Sequence, residues 1–187
     1  MKNIDIESIL RDTQYLSPAE AKFIYGFLKK LPNKGRFLEL GTGTGGSTRF
    51  FSSVLPGWTI YTVDGYGTEG TPPQVYGFHP GEISSVGVSK TYDSLHGLKN
   101  VIQIVSGFSK LPWELKVDVL FIDGSHDYES VKKDFDKFSP FVEPRGLIIL
   151  DDYNYNWGVR EFVEAELLDK WEIEATLTTA VLWRKKI

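Results

Sequence analysis

A short apolar strand that leads into a glycine-rich turn and then into a helix is the feature that most constrains how this chain can fold. The strand covers Arg36 to Leu40, and Gly41, Gly43 and Gly46 follow it at the spacing G-x-G-x-x-G. Glycines at this spacing let the backbone approach a ligand closely, and the start of the helix offers unpaired N–H groups to an anion. The pattern alone is compatible with a dinucleotide, with S-adenosylmethionine, or with a tight turn that binds nothing.

The rest of the chain alternates between short apolar runs and helical patterns. The run Val117 to Ile122 is almost continuously apolar, which is typical of a strand buried on both faces of a parallel sheet. Further strands are predicted at residues 58–63, 101–105 and 146–150, helices at 47–55, 128–138 and 157–168, and two antiparallel strands within 173–184. The alternation predicts an α/β fold with a Rossmann-like doubly wound sheet, whose ligands bind at the carboxyl ends of the strands.

The N-terminal part and one long loop lie outside this alternation. Residues 1–35 are predicted to form two helices, and the second begins at a capping box, Ser17-Pro18-Ala19-Glu20. With residues 36–187 as the core, residues 1–187 are expected to form a single domain. Residues 65–87 carry six of the 18 glycines and three of the nine prolines. We interpret this segment as a candidate lid over the substrate, with a plain surface insertion as the alternative.

Composition excludes several classes of function. The chain has 21 Lys and Arg against 25 Asp and Glu, a net charge of −4, so it lacks the broad basic face that a nucleic acid requires. The absence of cysteine excludes disulfides, thiolate metal sites and a cysteine nucleophile. No apolar run approaches the roughly 20 residues of a membrane span, and the N-terminus does not resemble a signal peptide. We therefore expect a cytoplasmic protein that binds neither nucleic acid nor membrane.

The polar residues around the glycine turn favour one ligand over the others. Glu39 lies two residues before Gly41, where a carboxylate would repel a pyrophosphate but could hold a cofactor's ammonium group. The hydroxyls of Ser47 and Thr48 at the start of the helix suit a carboxylate. Asp64, at the end of the second strand, can accept hydrogen bonds from two ribose hydroxyls. Ammonium, carboxylate and ribose together describe S-adenosylmethionine better than a nicotinamide dinucleotide.

Five segments, in order, carry a family resemblance: FLELGTGTGGST, TVDGYG, VSGFS, DVLFIDGSHDYE and GLIILDDY. They resemble those of class I S-adenosylmethionine-dependent methyltransferases, and the resemblance covers about residues 36–187. The closest likeness is to the small metal-dependent O-methyltransferases with a DGSHDY segment, the methyltransferase family 24, which includes macrolide-sugar and rhamnosyl O-methyltransferases. Catechol-type O-methyltransferases are more distant in pattern.

The resemblance implies a seven-stranded sheet, mostly parallel, whose last strand is antiparallel. It implies that Gly41 and Gly43 line the methionine end of the cofactor and that Asp64 holds the ribose. Phe108 and Ser109 would flank the adenine. Many members have an acidic residue in place of Phe108, so this ring either stacks on the base or turns into the core. The predicted cofactor-binding residues are Glu39, Gly41, Thr42, Gly43, Ser47, Thr48, Asp64, Gly65, Phe108, Ser109 and Asp123.

Three carboxylates are predicted to meet at the carboxyl ends of two strands. Asp123 follows the strand at 117–122, and Asp151 and Asp152 follow the strand at 146–150. Carboxylates brought together need a cation, a proton or strong hydrogen bonds, and such oxygen ligands suit Mg²⁺ or another divalent cation. Metal-dependent members of the family place their Mg²⁺ ligands at these positions. The alternative is that one or two of these side chains cap helices or hold the cofactor.

His126, three residues after Asp123, is the candidate catalytic base, because a neutral imidazole near a substrate hydroxyl can accept its proton. The resembling families have His or Lys at this spacing.

The predicted function is therefore methyl transfer from S-adenosylmethionine to a hydroxyl of a small molecule: a sugar, a phenol or a natural product. The expected binding partner is this small-molecule substrate, and the sequence leaves open whether the protein forms a homodimer. The alternatives are a metal-independent N- or carboxyl-methyltransferase, a non-catalytic S-adenosylmethionine-binding domain and, less favoured, a nicotinamide-dependent oxidoreductase.

Overall fold

The computed structural model describes residues 5–10, 16–67, 84–154, 158–176 and 178–184. In these residues the helices are α1 Ile6–Leu10, α2 Pro18–Leu28, α3 Gly46–Val54, α4 Ser85–Leu95, α5 Tyr128–Phe138 and α6 Val159–Glu166. The strands are β1 Arg36–Leu40, β2 Thr59–Asp64, β3 Val101–Val105, β4 Val117–Ile122, β5 Val142–Leu150, β6 Trp171–Ala175 and β7 Ala180–Arg184. Two 3₁₀ turns cover Phe108–Lys110 and Ser139–Phe141.

The strands form one seven-stranded sheet in the order β3-β2-β1-β4-β5-β7-β6. Strands β1 to β5 pair in parallel, whereas β7 is antiparallel to both β5 and β6. The order reverses beside β1, which leaves the carboxyl ends of β1 and β4 next to each other. The predicted α/β fold, with a mostly parallel sheet and an antiparallel last strand, is confirmed.

Helices cover both faces of the sheet because the strand residues alternate between them. On one face Phe37 and Phe121 pack with α1, α2 and α3, where Phe51 lies 4.4 Å from Phe37 between ring centroids. On the other face Leu38 and Leu120 pack with α5 and α6. Glu39 is on the same face as Phe37, so its side chain points towards α3, the helix that follows the glycine turn.

The capping box predicted for the second helix is confirmed. The Ser17 hydroxyl accepts from the backbone N–H of Glu20, and the Glu20 carboxylate accepts from the N–H of Ser17. Ile24 and Leu28 of α2 are then buried against the sheet. The N-terminal helices are therefore part of the packed core.

Two elements differ from the sequence prediction. Residues Ser85–Gly87, placed in the candidate lid, begin helix α4, and residues 68–83 of that segment lie outside the described residues. Strand β5 begins at Val142, four positions before the predicted start, and it includes Pro144, a residue that is uncommon inside strands. Its pairing with β4 shifts register between Val117 and Val119, which accommodates the proline. In the ranges described, no helix has the length and apolar character needed to span a membrane.

Candidate active site

The predicted site residues lie at or just beyond the carboxyl ends of the five parallel strands. Asp64 is the last residue of β2, while Asp123 and Asp151 directly follow β4 and β5. The backbone N–H of Asp123 donates to the Leu40 carbonyl at 2.8 Å, and that of Asp151 to the Ile122 carbonyl at 3.0 Å. The sheet ladder therefore continues to these residues and fixes their backbones at one edge.

The glycine turn lies against the end of β4 and leaves no room for a side chain at Gly41. Its φ of +103° is one that glycine adopts readily. A Cβ built at Gly41 would lie 1.8 Å from the carbonyl oxygen of Asp123. The close approach of Gly41 and Asp123 places the predicted cofactor turn directly beside the predicted acidic cluster.

Asp64 is a buried carboxylate with a fixed orientation. Its Oδ2 accepts from the N–H of Gly43 at 2.9 Å, and its Oδ1 accepts from the N–H of Tyr66 at 2.7 Å. Burial raises the pKa of Asp64 above its ordinary value, against these two hydrogen bonds. The backbone of Thr42 is a further donor to this carboxyl group. A carboxylate at this position has the acceptor chemistry for a ligand with two adjacent hydroxyls. Gly65 follows it and is buried.

Glu39 is fully buried and bonded to hydroxyls of its own chain. Ser47 Oγ donates to it at 2.6 Å, Thr48 Oγ1 at 2.5 Å and Thr62 Oγ1 at 2.6 Å. Burial raises the pKa of Glu39 to about 7 despite these donors. The hydroxyls of Ser47 and Thr48, expected to face a cofactor carboxylate, thus donate to Glu39. The roles of all three residues towards a cofactor remain predictions.

Two threonines from other elements, Thr62 of β2 and Thr91 of α4, make hydrogen bonds to the glycine turn. Thr42 Oγ1 lies 2.6 Å from Thr62 Oγ1 in the interior. Thr91 Oγ1, from α4, donates to the carbonyl of Gly43 at 2.6 Å. Thr91 was not predicted as a site residue, because nothing in the sequence indicates that α4 returns to the turn.

The turn predicted to flank the adenine follows β3 and is held by a lysine. The Phe108 ring packs on the apolar core of the α5 and α6 face, and a Cβ on Gly124 would lie 2.7 Å from it. Lys137 Nζ, from α5, donates to the carbonyls of Phe108 at 2.6 Å and of Ser109 at 2.8 Å. The Phe108 side chain is partly buried against this core, and its role towards the adenine stays a prediction. Lys137 was missed, since a lone lysine on a charged helix gives no signal in the sequence.

The predicted base and two predicted metal ligands are neighbours. His126 Nε2 lies 3.3 Å from Asp152 Oδ2 and 3.9 Å from Asp123 Oδ1. Burial lowers the pKa of His126 to about 4, so the imidazole is neutral near pH 7. Burial raises the pKa of Asp152 to about 6 and those of Asp123 and Asp151 well above the ordinary value, and neighbouring carboxylates add to these increases.

The carboxylate oxygens of Asp123, Asp151 and Asp152 are the ligand type of a divalent-cation site, and burial together with the charges of neighbouring carboxyl groups, Glu20 among them, raises the pKa of all three. Within the described parts of the chain, however, no three His, Asp or Glu side chains are arranged to hold a metal ion. Asp151 Oδ1 instead lies 3.1 Å from the Thr179 hydroxyl, which also contacts Glu20. Metal binding by the three aspartates therefore stays a prediction.

The sheet order and the glycine turn are those of the class I S-adenosylmethionine-dependent methyltransferase fold. A family model described as a methyltransferase domain matches residues 38–153. Because this match covers more than half of the chain, the chain belongs to that family. The turn and the Asp64 carboxylate fit the cofactor of the class, S-adenosylmethionine.

Solved structures of low identity share the fold. A candidate caffeoyl-CoA O-methyltransferase from Staphylococcus aureus has a TM-score of 0.68 at 16% identity, covering 98% of this chain and 93% of that one. MycE of the mycinamycin biosynthetic pathway, solved with Mg, SAH and mycinamycin VI, has a TM-score of 0.65 at 17% identity, covering 99% and 56%. An rRNA methylase from Streptococcus thermophilus has 0.62 at 14%, covering 93% and 100%.

One curated relative matches only locally. The uncharacterised protein R132 of Acanthamoeba polyphaga mimivirus is 45% identical over 43 residues, which cover 22% of this chain and 20% of that protein. The match thus spans about a fifth of the relative's length. It adds no information on activity.

Proposed function

We propose that the protein is an O-methyltransferase that transfers a methyl group from S-adenosylmethionine to a hydroxyl of a small molecule. The observation that carries this proposal is the position of His126, whose Nε2 lies 3.3 Å from Asp152 beside the turn that fits the cofactor. A base at this edge is what removal of a hydroxyl proton requires. The O-methyltransferases among the structural neighbours support the same chemistry.

In this proposal His126 accepts the proton of the acceptor hydroxyl. Burial lowers the pKa of His126 to about 4, which keeps the imidazole neutral but also weakens it as a base. The nearby Asp152 carboxylate stabilises the imidazolium that forms. S-adenosylmethionine supplies a methyl group already activated by its positive sulfur. The O–H bond of the acceptor and the S–CH₃ bond of S-adenosylmethionine break, and an O–CH₃ bond forms. The S–C electron pair stays on the sulfur, and the proton passes to His126. Asp64 and the glycine turn would hold the methyl donor, and alignment of this donor with the acceptor oxygen contributes most of the rate gain.

A divalent cation, held by Asp123, Asp151 and Asp152, is part of the proposal. When bound, such an ion lowers the pKa of a coordinated hydroxyl. The raised pKa values of the three carboxyls support it, because a cation would relieve their repulsion. MycE was solved with Mg, which supports the same expectation. The alternative is a metal-independent enzyme that acts on nitrogen or a carboxylate, with these acids binding the substrate.

The proposed acceptor is a hydroxylated sugar, phenol or natural product, in line with the mycinamycin compound bound to MycE. An RNA acceptor is the second candidate, since an rRNA methylase shares the fold. The net charge of −4 argues against it, because RNA binding depends on basic side chains. A cytoplasmic location and a homodimer stay predictions.

The test is a methyl-release assay with labelled S-adenosylmethionine across phenols, sugars, macrolides, amines, carboxylates and an rRNA fragment. We expect turnover with one hydroxyl class and its loss on exhaustive chelation, with recovery on adding Mg²⁺. Activity that survives chelation would refute the metal, and turnover with amines or carboxylates alone would refute O-methylation. Calorimetry with S-adenosylmethionine is run in parallel. Cofactor binding without turnover on any class would indicate a non-catalytic domain.

A further inference from the structure

A buried series of three polar side chains connects helix α2 to the edge of the sheet that carries the candidate active site. Glu20, in the first turn of α2, is 6% exposed; Thr179, just before β7, is 0% exposed; and Asp151 is 7% exposed. The Thr179 hydroxyl donates to Glu20 Oε1 and lies 3.1 Å from Asp151 Oδ1. Glu20 and Thr179 are 159 positions apart in the chain, so only tertiary packing brings them together.

The capping box does not account for the burial of Glu20. Capping uses one carboxylate oxygen, Oε2, which accepts from the Ser17 N–H at 3.3 Å. The other oxygen, Oε1, contacts Thr179 in the interior. Burying a carboxyl group costs folding free energy, and a capping glutamate that stays exposed avoids this cost. The second oxygen therefore has a use other than helix capping, and its contact leads to Asp151.

Resting on the proposed function, we infer that Thr179 and Glu20 are positioning residues that fix the orientation of the Asp151 carboxylate. The backbone of Asp151 is already fixed by its N–H bond to the Ile122 carbonyl at 3.0 Å. Only the side-chain rotamer remains free, and the Thr179 hydroxyl restricts it at Oδ1. Glu20 contacts the same hydroxyl and also hydrogen-bonds the Asp151 carboxyl directly, so that Thr179 and Glu20 hold Asp151 together. The N-terminal helix thereby sets the geometry of an active-site carboxylate.

Four variants separate positioning from helix capping. Thr179→Val removes the hydroxyl at nearly constant volume, and Thr179→Ser restores it. Glu20→Leu removes the carboxylate and the cap, whereas Ser17→Ala weakens the cap and leaves Thr179 and Asp151 untouched. We expect Thr179→Val and Glu20→Leu to lower kcat about tenfold or more, with the KM for S-adenosylmethionine within about twofold of wild type. Thr179→Ser and Ser17→Ala should keep kcat within about twofold.

A crystal structure of Thr179→Val is the readout that does not depend on activity. A displaced Asp151 carboxylate supports the inference, and an unchanged one overturns it, whatever the turnover. A kcat of Thr179→Val within twofold of wild type would also overturn it. If the wild-type protein methylates none of the acceptors, the proposed function fails, and the crystal structure still decides whether Thr179 orients Asp151.

Discussion

At the scale of the residue, His126 is the side chain whose loss should separate chemistry from binding. Its imidazole Nε2 lies 3.3 Å from Asp152 Oδ2 and 3.9 Å from Asp123 Oδ1, and it is proposed to act on the acceptor and not on the cofactor. We expect His126→Ala to lower kcat by about 10²-fold while the affinity for S-adenosylmethionine, measured by calorimetry, stays nearly unchanged. His96→Ala, at an exposed position after α4, is the control and should have wild-type turnover. Unchanged turnover in His126→Ala would remove this residue from the mechanism.

Two glycines with positive φ allow strain to be separated from steric clash. A Cβ at Gly97, with φ of +84°, would have no atom within 4 Å, whereas at Gly41 it would lie 1.8 Å from the Asp123 carbonyl oxygen. Gly97→Ala should lower the free energy of unfolding by about 1–2 kcal/mol, from backbone strain alone. Gly41→Ala should cost more than about 4 kcal/mol, because the turn must move off β4. Urea unfolding measures both, and equal losses would show that the turn does not press on β4.

At the scale of the element, the turn Phe108–Lys110 is fixed by α5 through Lys137. Its Nζ donates to the carbonyls of Phe108 and Ser109, so removing the ammonium frees the turn predicted to flank the adenine. We expect Lys137→Met to raise the KM for S-adenosylmethionine roughly threefold to tenfold with kcat nearly constant. Lys133→Met, at an exposed position of the same helix, is the control. A fall in kcat at constant KM would assign Lys137 to another role.

The elements could be predicted from the sequence where local patterns determine them. The buried strand Val117–Ile122 and the capping box at Ser17 follow from apolar runs and from residue chemistry over a few positions. Contacts between distant segments left no such signal. Glu20 matched a capping residue, and nothing local indicated that its second oxygen meets Thr179. The hydroxyls of Ser47 and Thr48 were expected to face a ligand, but both donate hydrogen bonds to the buried carboxylate of Glu39.

At the scale of the whole molecule, the buried carboxyls make stability depend on pH. Glu39 is 0% exposed, and its pKa is raised from the ordinary 4.5 to about 7, chiefly by burial. The folded state therefore binds this proton more tightly than the unfolded state. The stability that Glu39 contributes is complete below pH 4.5 and is lost as the pH rises through about 7. The pKa values of Asp64, Asp123 and Asp151 are raised in the same direction.

Replacing Glu39 by Gln tests this dependence, because glutamine keeps the shape of the protonated acid and does not titrate. We expect the free energy of unfolding of the wild-type protein to fall from pH 5 to pH 8, with Glu39 contributing at most about 2–3 kcal/mol of that fall. In Glu39→Gln the fall should be smaller by that amount. Glu114→Gln, at an exposed position, controls for the loss of one charge. Urea titrations of the three proteins at both pH values give the three differences in the free energy of unfolding between pH 5 and pH 8. An equal fall in Glu39→Gln and in the wild-type protein would show that Glu39 is ionised in the folded state throughout this range, with the hydroxyls of Ser47, Thr48 and Thr62 offsetting its burial.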